Sequence, residues 1–341
     1  MAAEPLLRVR DLTVEFRAET GTVAAVNGVT FDVRAGETLA LVGESGSGKS
    51  VTSLAIMRLI GSAGTRRIGG SILLRRRDGR VADLLAVPDP EMREIRGSEI
   101  AMIFQEPMTS LNPVHRIGQQ VAEAIVFHRG LGRRQALDEA VALLDLVGIP
   151  EPRRRLDSYP HQLSGGMRQR AMIAMALSCS PNLLIADEPT TALDVTIQAQ
   201  ILDLLQRLQK QTGMSIIFIT HNLGVVAEVA DRVLVMYGGR IVEEAPVVPL
   251  FKRPLMPYTR GLLHSVPRLD PRLAGRDELQ AIPGNVPDPT DMPRGCAFHP
   301  RCAHFLPATC DVQVPPLEPA EDGHGVRCLR WRDVALAGAA A

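Results

Sequence analysis

Three observations along the 341 residues predict an α/β fold organised around a phosphate-binding loop. A short apolar strand, "ETLALV", runs into the glycine-rich "GESGSGKS" and then into the helical "VTSLAIMRLI". A second apolar strand, "NLLIADEPT", ends on two carboxylates, Asp187 and Glu188. A third, "MSIIFITHN", ends on His221. Apolar strands that deliver polar residues at their C-terminal ends indicate a buried parallel sheet with a ligand crevice at those ends.

Each element has a chemical reason. Gly43 to Ser50 match G-x-x-x-x-G-K-[ST], a loop whose backbone N–H groups face phosphate oxygens at a helix N-terminus. Gly43, Ser45, Gly46 and Gly48 shape the curl, Lys49 reaches the outer phosphates, and Ser50 holds Mg²⁺. Only three of the 38 basic residues are lysine, namely Lys49, Lys210 and Lys252. One of them stands where a compact ammonium is required. Asp187 at the strand end is placed to bind Mg²⁺ through water, and Glu188 to act as general base toward an attacking water. His221 is placed for a γ-phosphate contact. A lone "DE" or a lone His at a strand end is usually structural, and the phosphate loop upstream reverses that reading here.

Composition narrows the class. Hydrophobic residues make up 45% and charged residues 22%, ordinary for a globular chain. Basic and acidic residues balance at 38 each, which offers no phosphate-backbone footprint and argues against a nucleic-acid partner. The start, "MAAEPLLRVRDL", lacks a basic segment before an apolar core, so no leader is expected. No run approaches the ~18 apolar residues of a spanning helix.

Between the first and second of these strands lies "LSGGMRQR", Leu163 to Arg170, another glycine-rich turn at a helix N-terminus. It resembles the signature of ABC-type ATPases, and the other motifs of that family follow in order. Gln105 in "IFQEP" resembles the Q-loop, Asp194 in "TALD" the D-loop, and His221 the switch histidine. Phe16 in "LTVEF" stands where the family stacks an aromatic on adenine, though a core aromatic is an equal reading. The stretches "FQEPMTSLNPVHRIGQQ" and "FKRPLMPYTRGLLHSVPRL" are similar to the ATP-binding subunits of oligopeptide and dipeptide importers. Met256 departs from that likeness, where His is expected before Pro-Tyr-Thr.

The resemblance implies a P-loop (RecA-like) ABC ATPase core with an antiparallel β-subdomain and an inserted helical subdomain. It implies an ATP-hydrolysing subunit of a peptide importer, with nickel, glutathione or another solute as alternative cargo. A soluble non-transport ABC ATPase is the reading from another class; such chains carry two cassettes, whereas this one has a single phosphate loop. Glu188, His221 and Gln105 are the implied catalytic residues, and Ser50, Gln105 and Asp187 the Mg²⁺ site. Ser164, Gly165, Gly166 and Asp194 are implied to meet ATP across a head-to-tail dimer with a second, related ATPase subunit. Two transmembrane permease subunits and an extracellular or periplasmic solute-binding protein complete the implied assembly. Its ATPase is expected at the cytoplasmic face of the membrane, as a peripheral protein.

Residues 1–245 are expected to form the ATPase domain, with residues 106–162 as the helical subdomain. Ile117, Val121 and Ile125, and then Leu137, Val141 and Leu144, recur at helical spacing there. "RVLVMYGGRIVEEA" reads as two strands about a Gly-Gly turn. Residues 246–341 are proline-rich and read as a small irregular module that needs a staple.

Four of the five cysteines lie in that module. Cys296, Cys302, Cys310 and Cys328 are separated by five, seven and seventeen residues. The spacing has no paired C-x₂-C knuckles and matches neither ferredoxin pattern, so it leaves a tetrahedral zinc and a cluster both open. His299, His304 and His324 are alternative ligands. The importer resemblance implies a [4Fe–4S] cluster on the four cysteines, with zinc as the alternative. Cys179 stands apart, in an apolar segment after the signature, and reads as an inert buried thiol.

Overall fold

The structure is a computed structural model, and it describes residues 4–19, 21–61, 64–105, 110–191, 193–265, 281–321 and 323–334. The strands β1 (Leu7–Ala18), β2 (Gly21–Val33) and β3 (Thr38–Val42) lead into helix α1 (Lys49–Ile56). Then come β4 (Thr65–Arg75), β5 (Val81–Asp83), α2 (Asp89–Ser98, interrupted at Arg96 and Gly97) and β6 (Ile100–Ile103). Helices α3 (Ile117–Arg129), α4 (Arg133–Leu146), α5 (Pro152–Arg155) and α6 (Gly165–Leu177) follow. The chain continues with β7 (Leu183–Asp187), α7 (Val195–Thr212), β8 (Ser215–Thr220) and α8 (Leu223–Val229). It closes with β9 (Arg232–Tyr237), β10 (Arg240–Pro246), α9 (Val247–Lys252), α10 (Pro257–His264), β11 (Glu318–Glu321) and β12 (His324–Val326). No described helix is long and apolar enough to cross a membrane.

The residues group into two compact units. The first takes the chain up to Leu7, then Val33–Glu37 and Leu73–Ile219. Its sheet is parallel: β6 pairs with β7 from Ile100↔Leu183, and β7 with β8 from Leu183↔Ser215. All five residues of β7 are buried, as expected of a strand covered on both faces. Helices α3 and α4 pack on each other and on α6. Ile117, Val121 and Ile125 are fully buried, as their spacing predicts. In α4 the stripe is turned by one residue: Ala136, Ala140 and Leu144 are buried, while Leu137 and Val141 are half-buried. Alanine at the contact lets the helix axes approach, and the larger side chains fill the flanks.

The second unit takes Arg8–Asp32, Thr38–Ile72 and the chain from Thr220 onward. In it β3 pairs parallel with β9 from Leu39↔Arg232. β9 turns back antiparallel into β10 through Gly238 and Gly239, both at positive φ. The tail is more than an appendage. β12 pairs antiparallel with β10 at Glu243↔Val326, and β11 with β12, so the last described strands extend this sheet. Phe298, Val326 and Trp331 enter the same buried cluster as Val233, Val235, Tyr237 and Tyr258. The expectation of an irregular module short of apolar burial is revised accordingly: its strands borrow the core of β9 and β10.

Candidate functional site

The phosphate loop belongs to the second unit. β3, buried throughout, delivers Gly43, and the loop turns through Gly43, Gly46 and Gly48 at φ of 153°, 77° and 103°. Two of these glycines are also required by space. A Cβ on Gly43 would lie 2.3 Å from the Met236 carbonyl oxygen, and one on Gly48 would lie 2.4 Å from that of Ala25. Lys49 is 6% exposed and arches over the loop, its Nζ donating to the carbonyls of Gly43 at 2.8 Å and Glu44 at 2.9 Å. Ser45 and Gly46 are exposed at the loop crest, and Ser50 is half-buried on the first turn of α1. The loop thus presents an ammonium and a helix N-terminus on one side, which suits a polyphosphate. Phe16 is half-buried on β1, outside the buried core. His221 is exposed, directly before Asn222, whose side chain caps α8 by accepting from the N–H groups of Gly224 and Val225.

The carboxylates belong to the first unit. Asp187 ends β7 and is 4% exposed. Glu188 follows at φ 46°, in the left-handed region that side chains other than glycine rarely adopt. Its N–H donates to Ile219 O at 2.9 Å, which fixes that turn. Backbone held this way at a strand end is a feature of functional positions. The Glu188 carboxylate accepts from Gln105 Nε2 at 3.0 Å and from Thr191 Oγ1 at 2.9 Å. Gln105 and Glu188, 83 positions apart, are therefore brought together. Thr191 was not marked by sequence reasoning; a hydroxyl three residues beyond a candidate base is the signal that would have found it.

Ser164 caps α6, its side chain accepting from the Met167 N–H. Ser164 and Gly165 are exposed, whereas a Cβ on Gly166 would sit 3.0 Å from Ile197 on α7. Asp194 caps α7 in the same manner, with Oδ1 accepting from Ile197 N–H at 2.9 Å. The glycine turn before α6 is exposed at Ser164 and Gly165.

The four tail cysteines line one cavity, together with Phe298, His299, His304 and Val334. All are free thiols. Burial pushes Cys296 up to about 11 and Cys328 up to about 12, and raises Cys302. Neighbouring thiols add to the rise of Cys296 and Cys328. Arg330 acts oppositely on Cys302, and Arg327 lies within electrostatic reach of Cys296. His324 is not part of this set: its Nε2 is 2.8 Å from Glu243 Oε1, both groups buried.

Among the described residues, no three His, Cys, Asp or Glu side chains converge on a point that would hold one metal ion. Four sulfurs around a single zinc would stand about 3.8 Å apart, from bonds of ~2.3 Å. The donor set at the cavity is the four thiols, with Arg327 and Arg330 within electrostatic reach.

Comparison with known proteins places the chain. Residues 26–191 match the ABC transporter family, and residues 242–310 match the family described as oligopeptide/dipeptide transporter, C-terminal region. A Brucella melitensis relative named for peptide import is 56% identical over 342 residues, covering 98% of this chain and 100% of its own. The oligopeptide transport ATP-binding protein OppD of Salmonella typhimurium is 50% identical, with 96% of this chain and 94% of OppD covered. AppD of Bacillus subtilis, of the same name, is also 50% identical, with coverage of 96% and 97%. Among solved structures, the dimeric, post-hydrolysis ATP-binding cassette MJ0796 bound to ADP and Pi aligns with a TM-score of 0.62 at 26% identity. That alignment covers 71% of this chain and 98% of the cassette. A whole-length likeness at this level joins the phosphate loop, the strand-end carboxylates and the glycine turn of α6 in one assignment: the chain belongs to the ABC ATPases, in the branch of ATP-binding subunits of oligopeptide and dipeptide transporters.

Proposed function

We infer that the chain is an ATP-hydrolysing subunit that powers peptide import through a membrane ABC transporter. The observation that carries this reading is the Gln105–Glu188 pair held at the end of β7 in a chain whose phosphate loop is intact. The loop N–H groups and Lys49 bind the phosphates, and Phe16 supports the adenine. Ser50, Asp187 and Gln105 are the residues that would hold Mg²⁺, which would neutralise phosphate charge. Glu188 takes a proton from the attacking water, Gln105 and Thr191 orient its carboxylate, and His221 contacts the γ-phosphate.

Two chains are needed to complete the site. The Ser164–Gly165–Gly166 turn and Asp194 meet ATP held by a second, related ATPase subunit in a head-to-tail dimer. ATP binding closes that dimer and hydrolysis reopens it, which drives two transmembrane permease subunits supplied by an external solute-binding protein. The ATPase works at the cytoplasmic membrane face. Cys296, Cys302, Cys310 and Cys328 would hold a [4Fe–4S] cluster that fastens the tail; that four cysteines line one void supports this reading.

Glu188→Gln tests the chemistry. ATP turnover of the purified complex should fall at least ~100-fold while ATP-dependent association of the ATPase subunits persists. Unchanged hydrolysis refutes the role of Glu188. Protein purified without oxygen should be brown, absorb near about 400 nm and contain iron with acid-labile sulfide. A colourless protein with stoichiometric zinc removes the cluster and leaves the ATPase reading intact.

A further inference from the structure

The second residue of the phosphate loop is held by the tail. Arg301 sits on a single 3-10 turn, His299–Arg301, between Cys296 and Cys302. Its side chain is 4% exposed. Nη1 donates to Glu44 Oε2 at 2.8 Å and Nη2 to Glu44 Oε1 at 3.0 Å, a two-pronged ion pair across 257 positions. Nε donates to the Pro283 carbonyl at 3.0 Å, and the guanidinium carbon lies 5.9 Å from the ring centres of both Tyr237 and Phe298. The arginine is thereby fixed in place before it meets its carboxylate.

Glu44 is fixed at its other two polar groups as well. Its N–H donates to the Tyr258 hydroxyl at 2.9 Å, and its carbonyl accepts from Lys49 Nζ at 2.9 Å. Tyr258 is fully buried, 4.6 Å from Tyr237 and 5.3 Å from Phe298 between ring centres. Side chain, N–H and carbonyl of one residue are all anchored, and two of the three anchors come from beyond residue 250.

A loop with three left-handed glycines has many conformations of similar energy, and ordering it on binding weakens affinity. We propose that Arg301 is a positioning residue for nucleotide binding, which through Glu44 holds the phosphate loop in the shape whose N–H groups face the phosphates. The tail is then part of the nucleotide site, although it touches the loop at a position the phosphate-loop pattern leaves open to any residue.

The test measures nucleotide affinity of the full chain by calorimetry, together with KM and kcat of the assembled transporter. Arg301→Gln and Glu44→Gln should each weaken ATP binding on the order of tenfold, with KM rising and kcat changing less than threefold. The double variant should be no weaker than the weaker single variant, because both break one link. Arg301→Lys, which keeps charge but one prong, should recover part of the loss. Should Arg301→Gln fail to fold, Glu44→Gln alone decides, since its carboxylate is 29% exposed and sits at the surface end of the pair. Wild-type affinity in Glu44→Gln, or losses that multiply in the double variant, would overturn the proposal. The inference rests on nucleotide binding at this loop, which Lys49→Ala tests separately. Binding lost in Lys49→Ala but kept in Glu44→Gln removes the tether and spares the site.

Discussion

Replacing Glu243 by glutamine isolates the link that fastens the tail strands to the sheet. Glu243 lies on β10, is 0% exposed, and is paired in register with Val326 of β12. Oε1 accepts from Leu255 N–H at 2.6 Å and from His324 Nε2 at 2.8 Å, while Oε2 accepts from Met256 N–H at 3.2 Å. Glutamine preserves the shape. Its oxygen can keep Leu255 and His324, but its NH₂ then faces the Met256 N–H, donor against donor. Hydrogen bonds to a charged acceptor are worth about 1.5–3 kcal/mol and neutral ones about 0.5–1.5, so the two kept bonds weaken by about 1 kcal/mol each. The orphaned N–H costs a further ~1–3 kcal/mol, and relief of the carboxylate's own desolvation offsets part of the total. The net is a destabilisation of about 2–3 kcal/mol. Trp331, the single tryptophan, is 8% exposed in the same core and reports the tail directly. With a urea slope of about 2–3 kcal/mol per molar, the midpoint read from Trp331 emission should fall by about 1 M. A shift below about 0.3 M would refute the view that this carboxylate secures the tail.

Four further outcomes follow from local geometry. Gly43→Ala, with its methyl 2.3 Å from a backbone oxygen, should weaken nucleotide binding by ~30-fold or more. Gly46→Ala meets nothing within 4 Å and bears only its positive φ, about 1–2 kcal/mol, so calorimetry should rank it well above Gly43→Ala in affinity. Asp194→Ala removes the cap of α7 and should lower stability by about 1 kcal/mol in a denaturant titration; no change would mean the 2.9 Å bond to Ile197 contributes nothing. Cys179 is 5% exposed, its thiol is raised by burial, and Sγ–H points to Ala124 O at 3.5 Å. A raised thiol holds less thiolate at neutral pH than an ordinary one, so mass spectrometry should find it unalkylated in native protein and fully alkylated in urea.

Much of the ATPase core could be read from the chain because its chemistry is local. The phosphate loop, the strand ending at Asp187 and the Gly238–Gly239 hairpin each lie within about ten consecutive residues, where glycine, lysine and apolar runs constrain one another. The Ile117, Val121 and Ile125 stripe was equally legible, since positions i, i+4 and i+8 fall on one face of α3, and all three are buried. In α4 the spacing favoured Leu137, Val141 and Leu144; Leu144 is buried, and the contact otherwise chose Ala136 and Ala140, because closeness of approach is decided by the neighbouring helix. The tail strands escaped notice for a similar reason. "EPAE" and "HGV" have neither alternation nor length, and they are strands because β10 offers them an edge. Tyr258 and Arg301 carried no signal either: both are ordinary residues whose partner is Glu44, hundreds of positions earlier.

The pairing of β12 on β10 also sets an order of events during synthesis. β10 is complete at Pro246, whereas the strand that covers its outer side begins at His324, so nearly eighty residues must emerge while that side is bare. A ribosome that stalls in this interval leaves a chain with an unfilled seat, a row of N–H and C=O groups that another copy can occupy. Completion removes the hazard twice over. β12 fills the seat, and β11 beyond it carries Pro319, which has no N–H to offer, beside Glu318. The sheet of the second unit is completed by the last strands among the described residues.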